Sequence, residues 1–288
     1  MENNPVSGRI FSIQRFCIND GPGIRTTVFF QGCPLHCLWC HNPESRSFEP
    51  RVSFRLDSCI ACGKCKVLLP DSMCRRDPAK PCNACGDCVR ECPGNALTLQ
   101  GAAITVNEVM TTVLRDRFYY GESGGGLTLS GGEPCMQPGF AKALLQAAKK
   151  EMLHTAIETS GAADPDVLAA LTEYCDLWLY DIKASPARYR ELTGIDYARI
   201  RQNLQILSGS GAAIHLRVPL VQGGNLEEPF LEELKTLRTL PGVRKIELLP
   251  YHDMGRGKSI MCGLTEPDWK RFSTPDRTTL DRWNTVLS

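Results

Sequence analysis

The sequence predicts an α/β fold, an incomplete parallel (β/α)6 TIM-like barrel that is interrupted by a cysteine-rich insert. Short apolar runs alternate with amphipathic stretches of helical length, which is typical of parallel βαβ units. Polar and glycine-rich residues follow each apolar run, as active-site residues follow the strands of parallel barrels. Only six such runs are present, so the predicted barrel is incomplete and has an open side.

The predicted elements are defined by β-type composition for the strands and by helical periodicity for the segments between them. Strands are expected at residues 25–30, 127–130, 154–158, 177–181, 215–221 and 245–250. Helices are expected at 138–151, 164–174 and 227–239. Asp164 followed by Pro165 is a strong helix start, because aspartate caps the first turn and proline is favoured at its first position.

Composition and charge narrow the classes of function. The 288 residues carry 33 Lys and Arg against 32 Asp and Glu, a formal net charge of +1. Attraction of nucleic acid or an anionic membrane needs a clear basic excess, so neither partner is expected. No apolar run approaches the roughly 20 residues that cross a bilayer, and the first residues do not resemble a signal peptide. A cytoplasmic location is therefore expected.

Cysteine is the outlier in the composition, with 15 residues. An odd number in a cytoplasmic chain argues against a disulfide framework, and close spacing argues for metal ligation. Eleven fall in three clusters: Cys33, Cys37, Cys40; Cys59, Cys62, Cys65, Cys74; and Cys82, Cys85, Cys88, Cys92. The remaining four are expected to be small buried hydrophobes: Cys17, Cys135, Cys175 and Cys262.

The segment that holds the second and third clusters differs in composition from the rest of the chain. Cys, Gly, Pro and Asp dominate it, so ligated metal rather than an apolar core should organise it. The expected organisation is the start of the barrel with its cysteine loop at 1–50, a ferredoxin-like insert at 51–100, and the rest of the barrel at 101–288.

The first cluster has the spacing C-x3-C-x2-C. Three thiolates at this spacing can hold a four-iron cluster and leave one iron without a protein ligand, which opens a position for a substrate. A zinc site and buried free cysteines are the alternatives. Because structural zinc takes four protein ligands, a zinc site here would need His36 or His41.

The second and third clusters have the spacings of ferredoxin-type ligands. The run from Cys82 to Cys92 ends in Cys-Pro, and in the bacterial ferredoxin pattern its fourth cysteine ligates the other of two clusters. The run from Cys59 departs from that pattern, with a longer gap and with Arg75 where proline is usual. A pair of zinc knuckles is the alternative. The inferred ligand sets are Cys59, Cys62, Cys65 with Cys92, and Cys82, Cys85, Cys88 with Cys74.

Five further motifs surround the first cluster or follow it. They are Asp20-Gly21-Pro22-Gly23-Ile24-Arg25, Trp39-Cys40-His41-Asn42-Pro43-Glu44, Ser130-Gly131-Gly132-Glu133-Pro134, Asp181-Ile182-Lys183 and Leu249-Pro250-Tyr251-His252. With the cysteine triplet, they make the sequence resemble the glycyl-radical-enzyme activating enzymes of the radical S-adenosylmethionine (SAM) superfamily. The resemblance covers residues 8–258, and the insert cysteines match the subgroup with a two-cluster ferredoxin-like insert.

The resemblance implies an anaerobic oxidoreductase that cleaves SAM reductively at a [4Fe-4S] cluster. The 5′-deoxyadenosyl radical would take a hydrogen atom from a glycine of a partner glycyl radical enzyme. The implied cofactors are SAM and three [4Fe-4S] clusters, one that binds SAM and two of ferredoxin type, with flavodoxin or ferredoxin as electron donor. The alternatives are another radical SAM enzyme that modifies a protein or a small molecule, such as a sulfatase maturase, and a non-enzymatic electron carrier.

The resemblance also implies the site. Cys33, Cys37 and Cys40 would be the catalytic cluster ligands. The residues implied to contact SAM are Trp39, Cys40, His41, Gly131, Gly132, Glu133 (near the amino group), Asp181, Ile182, Lys183 and His252. Glu158, Thr159 and Asp181 would hold a monovalent cation beside the SAM carboxylate, and an ion pair with Lys183 is the alternative.

Overall fold

The computed structural model describes residues 5–65, 80, 82–264 and 269–287, and ten strands and ten α-helices lie in these ranges. The strands are β1 (Ser7–Cys17), β2 (Arg25–Phe30), β3 (Arg51–Phe54), β4 (Leu97–Gln100), β5 (Ala102–Thr105), β6 (Gly126–Gly131), β7 (His154–Thr159), β8 (Leu177–Asp181), β9 (Ile214–Leu220) and β10 (Val243–Pro250). The helices are α1 (Asp87–Arg90), α2 (Val106–Val113), α3 (Arg117–Ser123), α4 (Pro138–Lys150), α5 (Pro165–Thr172), α6 (Tyr189–Thr193), α7 (Tyr197–Gly209), α8 (Glu228–Arg238), α9 (Met254–Met261) and α10 (Arg277–Leu287).

An eight-stranded sheet forms the centre of the fold, in the order β10-β9-β8-β7-β6-β2-β1-β5. Six neighbouring strands, β2 and β6 to β10, are parallel, whereas β1 and β5 are antiparallel additions beside β2. The parallel strands are the six predicted ones: β2 and β8 have the predicted bounds, and the other four differ by one or two residues. An α/β fold with a mainly parallel sheet is thereby confirmed.

Helices cross between successive parallel strands where the sequence predicts them. α4, α5 and α8 lie within the three predicted ranges. Asp164 caps α5, because its carboxylate accepts a hydrogen bond from the Asp166 N–H at 2.9 Å, and Pro165 occupies the first turn. α4 buries residues three and four positions apart, from Phe140 to Ala148, and this apolar stripe packs on the sheet.

The two faces of the parallel strands differ in chemistry. Val28, Leu129 and Tyr180 point to the face that the helices cover, and they belong to the main apolar core. The alternate residues include Thr128 and Arg217, which are polar and also buried. Parallel strands covered on both faces are usually apolar throughout. The second face combines these polar residues with a small apolar cluster of Ala156, Leu177 and Leu179, and its buried polar residues indicate that this face serves a site.

Seven α-helices and four strands among the described residues have no counterpart among the predicted elements, and two sets of these strands matter for the site. β1 pairs antiparallel with β2, and two irregularities in their register break its alternation. β3 and β4 form a separate antiparallel pair, from Arg51 opposite Gln100 to Phe54 opposite Leu97. Because this pair closes the base of the insert, the cysteine-rich segment leaves and rejoins the fold at neighbouring points.

Across the residues that the structure describes, no helix is both long enough and apolar enough to cross a membrane.

Gly125 and Gly121 give a matched test of the packing before β6. A Cβ at residue 125 would lie 1.8 Å from the backbone oxygen of Ile24, whereas a Cβ at residue 121 would meet no atom within 4 Å. Gly125→Ala should lower the free energy of unfolding by about 2 kcal/mol, because the backbone must move. Gly121→Ala in α3 should raise it by about 0.5–1 kcal/mol, because alanine favours the helix. Chemical denaturation measures both, and equal effects would contradict this packing.

Candidate active site

The predicted site residues meet in a cavity at the carboxyl ends of the parallel strands. All six strands contribute to it: the loop after β2, the ends of β6, β7 and β8, Pro219 of β9 and Leu249 of β10. The predicted residues on its wall are Cys33, Cys37, Trp39, Cys40, His41, Gly131, Gly132, Glu158, Thr159, Asp181 and Lys183. Three of the residues predicted to contact SAM lie off this wall: Glu133, Ile182 and His252.

The cysteine loop after β2 is held by backbone hydrogen bonds to two other segments. The Gly32 N–H donates to the Ser45 oxygen at 2.8 Å, which fixes the start of the loop. The His36 N–H donates to the Thr193 oxygen at 2.8 Å, which ties the middle of the loop to the end of α6. These bonds bring the three cysteine side chains to one wall of the cavity.

The chemistry of the three thiols fits an iron–sulfur cluster. Burial raises the pKa of Cys33 well above its usual range and that of Cys37 to about 12, so both are protonated when free. A bound cluster holds such groups as thiolates, because metal ligation outweighs the effect of burial. Three thiols on one wall are also the donor set that leaves one iron of a four-iron cluster open.

Gly131 and Gly132 allow the end of β6 to lie directly against the β2 end of the cysteine loop. A Cβ at residue 131, where φ is +108°, would lie 2.3 Å from the Phe30 nitrogen. A Cβ at residue 132 would lie 2.3 Å from the Gly32 oxygen. The missing side chains thus admit the protein's own backbone, and they leave a bare glycine edge on the cavity wall.

The Glu133 carboxylate is buried and makes four contacts with the protein. It accepts hydrogen bonds from the Thr159 Oγ1 at 2.8 Å, the Ser160 N–H at 2.9 Å, the Ser160 Oγ at 2.6 Å and the Cys135 N–H at 3.2 Å. These bonds connect the end of β6 to the end of β7. The structure therefore places Glu133 behind the cavity wall, where it positions two strand ends.

Two ion pairs include residues of the cavity wall. Lys183 donates to the Asp181 carboxylate at 2.7 Å. Arg217 donates to Glu158 at 2.8 Å, and the Ser130 hydroxyl donates to the other oxygen of Glu158. Burial alone would lower the pKa of Lys183, but the Asp181 carboxylate raises it well above its usual range, so the ammonium stays charged.

The three oxygen ligands predicted for a cation already contact protein groups. Asp181 pairs with Lys183, Glu158 pairs with Arg217, and Thr159 donates to Glu133. Within the described ranges, no three His, Cys, Asp or Glu side chains are close enough to ligate a single metal ion. The ion pair that was the alternative is present, and the cation site stays a prediction.

Aromatic side chains flank the cysteine loop. The His41 ring stacks on His252, with centroids 3.9 Å apart and planes 20° apart. Burial, and then the neighbouring His252, lowers the pKa of His41 to about 3, so the ring is neutral. Its Nε2 is buried and has no hydrogen-bond partner among the described residues. On the same wall, Trp39 packs edge-on against Phe272 with centroids 5.6 Å apart.

Known proteins that resemble this chain indicate its family. A family model of the radical SAM superfamily matches residues 90–235, and a model of a 4Fe-4S single cluster domain matches residues 19–65. The isethionate sulfite-lyase activating enzyme of Nitratidesulfovibrio vulgaris is 39% identical over 88% of this chain and 87% of its own. The choline trimethylamine-lyase activating enzyme of Oleidesulfovibrio alaskensis is 40% identical over 90% and 88%.

The chain belongs to the radical SAM superfamily. The relatives named above are activating enzymes. The predicted resemblance to the radical SAM superfamily and to activating enzymes is therefore confirmed. A solved radical SAM methyltransferase from Sphaerobacter thermophilus has a TM-score of 0.52 and 14% identity, and covers 96% of this chain and 74% of its own, which shows a shared fold. Membership implies a 4Fe-4S cluster and SAM, and it favours iron–sulfur over zinc at the first cysteine cluster.

The cysteine-rich segment of this radical SAM chain contains a second cavity. Four predicted ligands of one cluster line it together, beside apolar residues such as Phe54 and Leu97: Cys59, Cys62, Cys65 and Cys92. In the other predicted set, Cys82 and Cys85 lie in the loop before α1, and Cys88 lies in α1. Cys74 is outside the described residues.

The two cysteine loops of the insert repeat both sequence and backbone. Cys59 begins the run C-I-A-C-G-K-C, and Cys82 begins C-N-A-C-G-D-C. Ala61 and Ala84, at the same position of each run, have a φ of 52°, and the glycines two positions later have φ of 74° and 77°. Alanine rarely adopts a positive φ. The shared conformation indicates that the two loops meet the same structural requirement.

The sulfur of Cys92 is surrounded by backbone N–H groups. Burial acts to raise the pKa of the Cys92 thiol, but hydrogen bonds from the backbone of Ala96 and Gly94 outweigh it and lower the pKa. The Ala96 N–H lies 3.3 Å from the sulfur. This surrounding favours the thiolate, which is the form that ligates iron.

Arg217 is the main site residue that the sequence analysis missed. It is 5% exposed and pairs with Glu158, and its guanidinium also lies 3.9 Å from Asp20 and 3.8 Å from Glu247. The signal was a single arginine within the apolar run of β9, because a buried charge needs partners. Arg217 links the Asp20 loop to the cavity wall.

Glu133→Gln tests whether this residue holds the strand ends. An amide can accept fewer hydrogen bonds, and its NH2 group would face donors, so the free energy of unfolding should fall by about 1–3 kcal/mol. Glu151→Gln is the matched control, because Glu151 is a surface residue paired with Arg117, and its effect should stay within about 0.5 kcal/mol. Urea unfolding measures both, and an unchanged stability in Glu133→Gln would show that these hydrogen bonds do not hold the strand ends.

Proposed function

We propose that this chain is the activating enzyme of a glycyl radical enzyme and that it removes a hydrogen atom from one glycine of that partner. One observation carries the proposal: the cysteine triplet, the glycine edge of β6 and the Asp181–Lys183 pair share one cavity wall in a chain 39–40% identical to activating enzymes.

The residues of the cavity fit the cluster and SAM. Cys33, Cys37 and Cys40 would ligate the cluster as its catalytic ligands. When bound, SAM supplies the radical that abstracts hydrogen, and the cluster supplies the electron. Lys183 keeps a charged ammonium at the wall, and the neutral His41 has an unpartnered Nε2 that would meet a polar group of the cofactor.

The protein substrate would enter through the open side of the sheet. We infer that the six parallel strands curve as an incomplete (β/α)6 barrel, since β10 and β5 are the two edges of the sheet and do not pair with each other. Such a barrel leaves a lateral opening through which a glycine-bearing loop can reach the cavity. The polar inner face, with Arg217 and Glu158, suits a polypeptide better than an apolar ligand.

The insert at 51–100 is proposed to be a ferredoxin-like module with two further [4Fe-4S] clusters. The common wall of Cys59, Cys62, Cys65 and Cys92 supports the first cluster, and the repeated backbone of the second loop supports a similar role for Cys82, Cys85 and Cys88, with Cys74. A four-iron cluster is larger than a single ion, so its ligands stand farther apart. The module would pass electrons from flavodoxin or ferredoxin towards the cluster that Cys33, Cys37 and Cys40 would ligate.

We infer that residues outside the cavity determine which partner enzyme is activated. The two relatives differ by one per cent in identity to this chain, yet their names give an isethionate sulfite-lyase and a choline trimethylamine-lyase. Chains of nearly equal similarity to this one therefore carry the names of different partners. The substrate class we propose is a glycyl radical enzyme, and its surface selects the pair.

Activation of a partner is tested with the reduced chain, SAM and a glycyl radical enzyme from the same organism. We expect 5′-deoxyadenosine and an electron-spin signal on the partner, which should vanish when the partner's glycine is changed to alanine. In the control, Cys37→Ala should form no 5′-deoxyadenosine but keep about eight irons in the insert. Cleavage of SAM without a signal on the partner would favour another radical SAM modification, and no cleavage would favour an electron carrier.

Cys92→Ala tests the relay role of the insert. Loss of one cluster ligand should remove most SAM cleavage driven by flavodoxin, because the electron path from the surface is interrupted. Cleavage driven by dithionite should persist, because a small reductant reaches the first cluster directly. Cys17→Ala, outside the three clusters, is the control and should behave as the wild type. Equal loss with both reductants would contradict a relay.

A further inference from the structure

The helix α9 lies against the segment that follows Cys40. Gly255, in its first turn, is so close that a Cβ would lie 2.2 Å from the Cys40 oxygen and 3.2 Å from the His41 Cα. Just before the helix, His252 stacks on His41. A part of the chain more than two hundred positions away thus contacts the last cluster ligand and its neighbour directly.

Lys258, one turn further along α9, makes two polar contacts with the same segment. Its ammonium donates to the Asn42 Oδ1 at 2.8 Å and lies 3.1 Å from the Glu44 carboxylate. The Glu44 side chain is only 9% exposed, and its other oxygen has no hydrogen-bond partner among the described residues. A buried carboxylate is costly without a cation, so Lys258 stabilises this turn of the chain.

Asn42 carries this contact into the cavity. Its Nδ2 donates to the Gly131 oxygen at 3.4 Å, and Asn42 and Gly131 both line the wall beside Cys40 and His41. Lys258 is absent from that wall. Among the described residues, the ammonium therefore reaches the wall through Asn42, which joins the segment after Cys40 to the glycine edge.

We propose that Lys258 is a positioning residue for SAM binding. By holding Asn42 against Gly131, it keeps the segment after Cys40 in the shape that admits the cofactor between the cluster ligands and the glycine edge. The inference rests on SAM binding in this cavity, and it does not depend on the identity of the partner enzyme.

Four variants test the proposal on the reduced, iron-loaded protein. Lys258→Met keeps the side-chain length without the charge, and the Kd for SAM should rise by about tenfold, as expected for a lost charge-assisted hydrogen bond. Lys258→Arg should keep most of the affinity. Lys245→Met is the surface control, because Lys245 is 54% exposed and pairs with Glu247. The readouts are equilibrium binding of SAM and the SAM-dependent change in the electron-spin spectrum of the cluster.

The fourth variant separates positioning from stability. Lys258→Met with Glu44→Gln removes both charges, so it should regain the unfolding free energy lost in Lys258→Met and still bind SAM weakly. Restored affinity in this double variant would overturn the proposal, since Lys258 would then act only by neutralising Glu44. Unchanged affinity in Lys258→Met at full iron content would also overturn it. If the wild-type protein itself fails to bind SAM, the proposed function fails and this inference falls with it.

Discussion

A contact between two backbones holds the candidate site together. The Gly32 oxygen at the start of the cysteine loop accepts a hydrogen bond from the Glu133 N–H at 2.8 Å, and the Gly132 Cα lies against the same oxygen. The approach of residue 132 leaves no room for a side chain, because a Cβ there would lie 2.3 Å from that oxygen. Because the Glu133 carboxylate then bonds to Thr159 and Ser160, the position of the cysteine loop is coupled to the ends of two successive strands.

The face of the sheet opposite the helices carries the buried polar residues of the site. Charged groups are brought beneath the cavity, and their desolvation is offset by pairing: Arg217 with Glu158, and Lys183 with Asp181. The apolar face of the strands and the helices provide the core, so the inner face is free to carry chemistry. This division explains how a small domain keeps stability and still places several charges near one cavity.

The parallel strands were predictable because each is a short apolar run followed by polar residues. The carboxyl ends of these strands meet at one edge of the sheet, so the site there was predictable too. β1 was not, because irregularities in its pairing break the alternation by which a strand is recognised. The role of Glu133 was hidden for another reason, since its partners at Thr159 and Ser160 belong to the next strand. Long-range hydrogen bonds leave no local pattern.

In the cysteine-rich segment, the ferredoxin pattern with its closing Cys-Pro grouped Cys92 with the run that begins at Cys59, and these four cysteines line the second cavity. The matching φ values of Ala61 and Ala84 could not be foreseen, because alanine has no preference for them. They show that two loops of similar sequence adopt one conformation despite different neighbours.

The pairing of β3 with β4 has a consequence for how such a chain can change. Arg51 stands opposite Gln100, so the two ends of the cysteine-rich segment are adjacent. The length of the chain between β3 and β4 therefore does not alter the sheet that carries the cavity. Residues can be gained or lost beyond Phe54 as a block, at little cost in loop entropy. The pair of β3 and β4 is thus a fixed base, and the segment between the two strands can be exchanged without a change in the rest of the fold.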